Sequence, residues 1–88
     1  RNLSVDELLK YAKEQWDEAE RIDKINMVAE LLYAEASYKV QPLRQMLMEK
    51  SYKLFDYVEA NSSTFSISRH QKMEAMRQEL SNKLSQID

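Results

Sequence analysis

Apolar residues recur along this chain at steps of three and four, the spacing of one helix face, and they trace three stripes. The first runs through Leu8, Ala12, Gln15, Ala19 and Ile22, with Trp16 lying off it. It is narrow, and Ala12 and Ala19 would let a neighbouring helix approach closely. Ser4 and Glu7 have the spacing of a capping box that starts this helix, and Leu3 and Leu8 have the spacing of a hydrophobic staple across it. The second stripe is Val40, Leu43, Leu47, Leu54 and Val58, widened by Tyr52 and Phe55. The polar cluster Asn61-Ser62-Ser63-Thr64 ends it. The third stripe is Met73, Met76, Leu80, Leu84 and Ile87, with Ser66 or Ser68 as its cap. Helices are therefore predicted over about 4–30 or longer, 34–60 and 67–87, packed by their stripes as an all-α three-helix bundle spanning 1–88 as one domain.

The end of the first helix is open. Ile25 to Leu32 contains only Asn26 as a weak breaker, and no proline occurs before Pro42. Either the chain turns near Asn26, or the helix runs on and bends or restarts at Pro42, where a first helical position accommodates the ring. An unbroken helix could not fold back on itself, which makes a swapped homodimer the second expectation.

Composition sharpens the class. The 88 residues include no Gly and a single Pro, leaving little material for strands or sharp turns, while the strong helix formers are abundant. A formal net charge of −2 gives no excess of positive charge for nucleic acid or anionic lipid. With no Cys there is neither a disulfide framework nor a thiolate nucleophile. The lone His70 has no partner histidine for a metal, no glycine-flanked serine elbow occurs, and a phosphate-cradling loop needs glycine. The expectation is a protein-binding module, not an enzyme, with no cofactor and no catalytic or metal-binding residues.

The last two predicted helices carry fixed charges of both signs, Glu49 and Glu59 on one and Arg69, Lys72 and Arg77 on the other. The segment AEASYKVQPLRQMLMEKSYKLFDYVE, Ala34 to Glu59, resembles the second helix of BAG domains. SRHQKMEAMRQEL, Ser68 to Leu80, resembles the third, with Arg69 followed by Met73 and Met76 at the family's spacing and His70 where the family usually has Lys. The resemblance implies a co-chaperone that binds the ATPase domain of seventy-kilodalton heat-shock chaperones and promotes ADP release. It implies a cytoplasmic or also nuclear setting and a link to apoptosis regulation. Residue by residue, it implies chaperone contacts at Glu49, Glu59 and Arg69, with Lys72 beside them. Arg77, a further implied contact, stands where the family commonly has Gln, so a donor is kept and a charge gained. Replacing Glu49 or Arg69 should then cost affinity and spare stability. Read without the resemblance, the same residues are solvated helix charges, with Glu49 and Lys53 spaced to pair. The alternative function is a helical dimerisation or scaffold module without exchange activity.

Overall fold

The computed structural model describes the backbone of residues 4–87 and the side chains of residues 4–81. The described residues are helical, with no strand, in four segments: α1 (Val5–Gln15), α2 (Glu18–Ser37), α3 (Leu43–Asn61) and α4 (Ile67–Ile87). The expected all-helical bundle is present, with two corrections. Its first helix is two helices, and the second expected helix, 34–60, starts only at Leu43. Residues 34–37 close α2 and the chain turns at 38–42, splitting the segment that resembles one BAG helix. The ends of the staple and of the last stripe, Leu3, Leu84 and Ile87, lie outside the described side chains.

Local signals account for each start. Ser4 and Glu7 form the reciprocal capping box, the Ser4 hydroxyl accepting from the Glu7 N–H at 3.1 Å and the Glu7 carboxylate accepting from the Ser4 N–H at 3.0 Å. Trp16 and Asp17 then take extended backbone angles, and the Asp17 carboxylate accepts from the Glu20 N–H at 2.9 Å to open α2. This break, not Asn26 or Pro42, ends the first helix, and Asn26 sits inside α2. The Trp16 ring holds the corner, with Tyr11 edge-on at 5.8 Å, the Lys24 ammonium 5.3 Å from its centroid, and Arg21 donating to the Trp16 carbonyl.

The chain reverses between Tyr38 and Pro42, so the unbroken helix that motivated a swapped dimer is not formed. The peptide bond before Pro42 is cis, and Pro42 stands at the N-cap of α3 without a side-chain cap bond of its own. Two other side chains satisfy this corner. The Gln41 amide oxygen accepts from the Gln45 N–H, and Arg44 donates through Nη1 to the Ala36 carbonyl at the end of α2. About two turns further in, the buried Ser51 hydroxyl donates to the Ala29 carbonyl at 2.8 Å. These cross-links run in opposite chain directions, so α2 and α3 form an antiparallel hairpin.

Small residues make the hairpin tight. Ala29 and Ala36 of α2 and Ser51 of α3 are fully buried, as are Ile25, Leu54, Phe55 and Val58 around them. α1 lies against α2 and α3 and adds the buried Ala12, while α4 packs on α3 and adds Met76. Several stripe positions fall elsewhere than expected. Ala19 is exposed in the first turn of α2, and Val40 is 82% exposed because it belongs to the turn and not to α3. Leu43, at the first position of α3, is also exposed. Among the described residues no helix is long and apolar enough to cross a membrane.

Candidate partner-binding face

The α3–α4 pair carries the charges singled out in the sequence, and the fold divides them into inward and outward sets. α4 begins where the Ser66 hydroxyl accepts from the Arg69 N–H at 3.1 Å, which identifies Ser66 rather than Ser68 as the cap. That cap turns the Arg69 side chain back toward the end of α3. Arg69 is 7% exposed, donates through Nε to Glu59 Oε1 at 2.8 Å, and through Nη2 to the Thr64 carbonyl at 3.0 Å. His70 Nε2 meets the other oxygen of the same carboxylate. The Arg69 guanidinium bonded to Glu59 holds its carboxyl below the usual glutamate range, against the opposing effect of burial and with His70 adding to the same direction.

Arg69 was expected to reach outward at no cost in stability. Its guanidinium is instead committed inside the protein, because the short turn between α3 and α4 leaves Glu59 and the Thr64 carbonyl within its reach. Lys72 is committed in the same way. It pairs with Glu30 of α2, and its ammonium lies 5.9 Å from the Tyr33 ring centroid. Arg69 and Arg77, two turns apart, do not share an environment. Arg77 is exposed and, among the described residues, pairs with Glu74 on its own helix at 2.5 Å.

Glu49 is exposed on α3, and its carboxylate accepts from the Gln45 side chain one turn earlier at 3.1 Å rather than pairing with Lys53. Arg77 is raised chiefly by its bond to Glu74 and further by the nearby Tyr52, one turn along α3 from Glu49. Tyr52 and Arg77 therefore lie near each other across the seam between α3 and α4. Glu49, on the exposed face of α3, instead lines a cavity with Ser4, Val5 and Asp6 at the start of α1. Beyond the turn, Phe65 and Ile67 are exposed at the start of α4 and line a shallow cleft with His70, Gln71, Glu74, Ala75 and Gln78. The Phe65 ring lies 4.6 Å from the His70 ring, centroid to centroid.

Sequence reasoning missed Arg44. Its Nε and Nη2 grip both oxygens of Glu79 at 2.7 and 2.8 Å, while Nη1 holds the Ala36 carbonyl, so one guanidinium ties α2, α3 and α4 together. The bidentate bond to Arg44 pulls the Glu79 carboxyl below its ordinary range. A basic residue just past the end of one helix and at the start of the next was the available signal.

Among the described residues, this arrangement offers fixed charges of both signs and an exposed apolar rim at Phe65 and Ile67. Compared with known proteins, the chain matches no family model, no curated protein sequence and no solved structure.

Proposed function

We propose that this chain is a helical co-chaperone module whose α3 and α4 bind the ATPase domain of a seventy-kilodalton heat-shock chaperone and promote ADP release. The observation that carries the reading is the clasp of Arg69 on Glu59 and the Thr64 carbonyl, which fixes the angle of α4 on α3. With the platform fixed, Glu49 stands exposed on α3 at a position matching the BAG resemblance, and Arg77 stands exposed on α4 where the family commonly has Gln. Rigid placement of a few charges lowers the ordering cost of binding and sets orientation. In this reading Glu49 and Arg77 contact the chaperone, while Arg69, Glu59 and Lys72 position the helices that present them.

Exchange follows from differential affinity. A module that binds the open-cleft conformation of the ATPase domain more tightly shifts the population toward it, and nucleotide weakens module binding by the same factor. No residue of the module need touch ADP. The test is the release rate of a fluorescent ADP analogue from purified ATPase domain as this chain is titrated in. Acceleration that saturates is expected, and Glu49→Ala should weaken the interaction by ~2 kcal/mol with unchanged melting, as a solvent-facing hot spot does. Release at the unaided rate at every concentration would sink the reading.

A further inference from the structure

The face of α2 turned away from the core is apolar where a solvent-facing helix surface is ordinarily polar. Met27, Leu31, Ala34 and Tyr38 follow one another at steps of four, three and four residues, so they form one stripe. It lies opposite the buried Ile25, Ala29 and Ala36. Met27 is 60% exposed, Leu31 63% and Tyr38 88%, and Ala34 is exposed between them. α1, α3 and α4 leave this stripe uncovered.

Charges bracket the stripe in a repeated order. At its N-terminal end Glu20 is followed four residues later by Lys24, with 3.9 Å between their charged atoms. At its C-terminal end Glu35 is followed four residues later by Lys39, which lies just past the Tyr38 cap of α2, at 3.5 Å. Acid-then-base at both ends has a consequence for pairing. If two copies lay parallel, Glu20 would meet Glu20 and Lys24 would meet Lys24. If they lie antiparallel, one register sets Glu20 against Lys39 and, at once, Lys24 against Glu35, because both pairs have the same four-residue spacing. The two-fold axis of that register passes between Ala29 and Glu30. Met27 of one copy then faces Leu31 of the other to within one residue, about 1.5 Å of helix rise. Charge order and apolar register agree on a single geometry.

We propose that α2 is a homodimerisation surface, pairing antiparallel with α2 of a second copy through Met27 and Leu31, with four reciprocal Glu–Lys pairs around them. The inference does not rest on the chaperone reading, since the stripe and the α3–α4 seam are formed by different residues. The stripe from Met27 to Tyr38 is only about 16 Å long, so the dimer is weak and concentration-dependent. Its closed two-fold symmetry stops assembly at two copies.

Sedimentation equilibrium of the whole chain up to about 1 mM, a range that reaches weak association, reads this directly. A monomer–dimer equilibrium is expected. Leu31→Glu should abolish it with unchanged far-ultraviolet circular dichroism, since that side chain is solvent-facing. The sharper test exchanges charges within each bracket. The variant E20K/K24E and the variant E35K/K39E each keep acid–base pairs inside the helix, yet set like charges across the dimer. Each alone should dimerise about tenfold or more weakly than the parent chain. Mixed together they should recover association, because the heterodimer restores all four pairs. A parent chain that stays monomeric throughout, association that survives Leu31→Glu, or charge-exchanged variants that self-associate like the parent would each overturn the proposal. A monomeric result would leave the stripe to a partner of different sequence.

Discussion

The α2–α3 hairpin and the seat of α4 are held by different physics. The hairpin is closed by apolar burial and close backbone approach, with Ile25, Ala29, Leu54, Phe55 and Val58 at or near zero exposure and one hydroxyl, Ser51, bonded across. The described part of α4 contributes one fully buried apolar residue, Met76. Around it, three basic side chains are clasped by acids from other helices: Arg69 with Glu59, Lys72 with Glu30, and Arg44 with Glu79. Burial has little directional preference and is insensitive to pH, whereas charge-assisted bonds are directional and follow the protonation of their carboxylates. The hairpin therefore gives the domain its stability, and the clasps give α4 its orientation.

The comparison breaks most visibly if the hairpin core is cut. Phe55→Ala should cost about 3–5 kcal/mol, because the ring is fully buried and its loss leaves a cavity between tightly packed helices. A domain of this size has only about 5–15 kcal/mol in total, so denaturant unfolding should show a collapse of the whole transition and not a local one. If amide exchange speeds only in α4, the hairpin is not the stabilising unit described.

Cutting a clasp should do less, and do it locally. Arg69→Ala leaves one oxygen of the Glu59 carboxylate and the Thr64 carbonyl without their donor, with His70 still on the other carboxylate oxygen, a loss of about 1–3 kcal/mol. Amide exchange should rise at the start of α4 while the buried hairpin amides keep most of their protection. Acid should mimic the variant. The folded-state pKa values of Glu59 and Glu79 lie below the ordinary glutamate value. Their contribution is therefore whole above that value, about pH 4.3, and is lost as pH falls through it toward the lowered folded values. Arg69→Ala should remove part of this acid slope. An unchanged slope in the variant would mean that Glu59 is not the group responsible.

The same division explains what was legible in the sequence. Signals confined to one turn of chain read correctly: the Ser4–Glu7 box, the polar turn after Asn61 and a serine cap for α4. Asp17 and Glu20 have the same spacing as Ser4 and Glu7, but they sit inside a stripe whose three- and four-residue steps run on from Leu8 to Ile22. Periodicity carried the helix through a break that cap chemistry marked. The core positions of α3 were legible because Leu54, Phe55 and Val58 keep one face inward whatever the partner. The direction of Arg69 and Lys72 was not. Spacing along a helix fixes the angle between side chains, while which neighbour they meet depends on the loop before α4 and on Glu30, far away in sequence. Glu49 and Arg77 stand at the surface, as a reading of helix charges would have them.

The smallest expected effect isolates orientation from stability. Arg77 makes its ion pair with Glu74 three residues earlier on the same exposed helix face, and that pair joins no two helices. Exposed pairs of this kind contribute little, because both side chains lose conformational freedom in a high-dielectric setting that salt screens further. Arg77→Ala should therefore leave the melting temperature and the α4 exchange rates as they are, in contrast to Arg69→Ala eight residues away. If Arg77→Ala instead loosens α4 as Arg69→Ala does, then the distinction between clasping and displayed charges fails. If it leaves the fold intact and still weakens this chain's stimulation of ADP release from the ATPase domain, the displayed charge acts on a partner and not on its own domain.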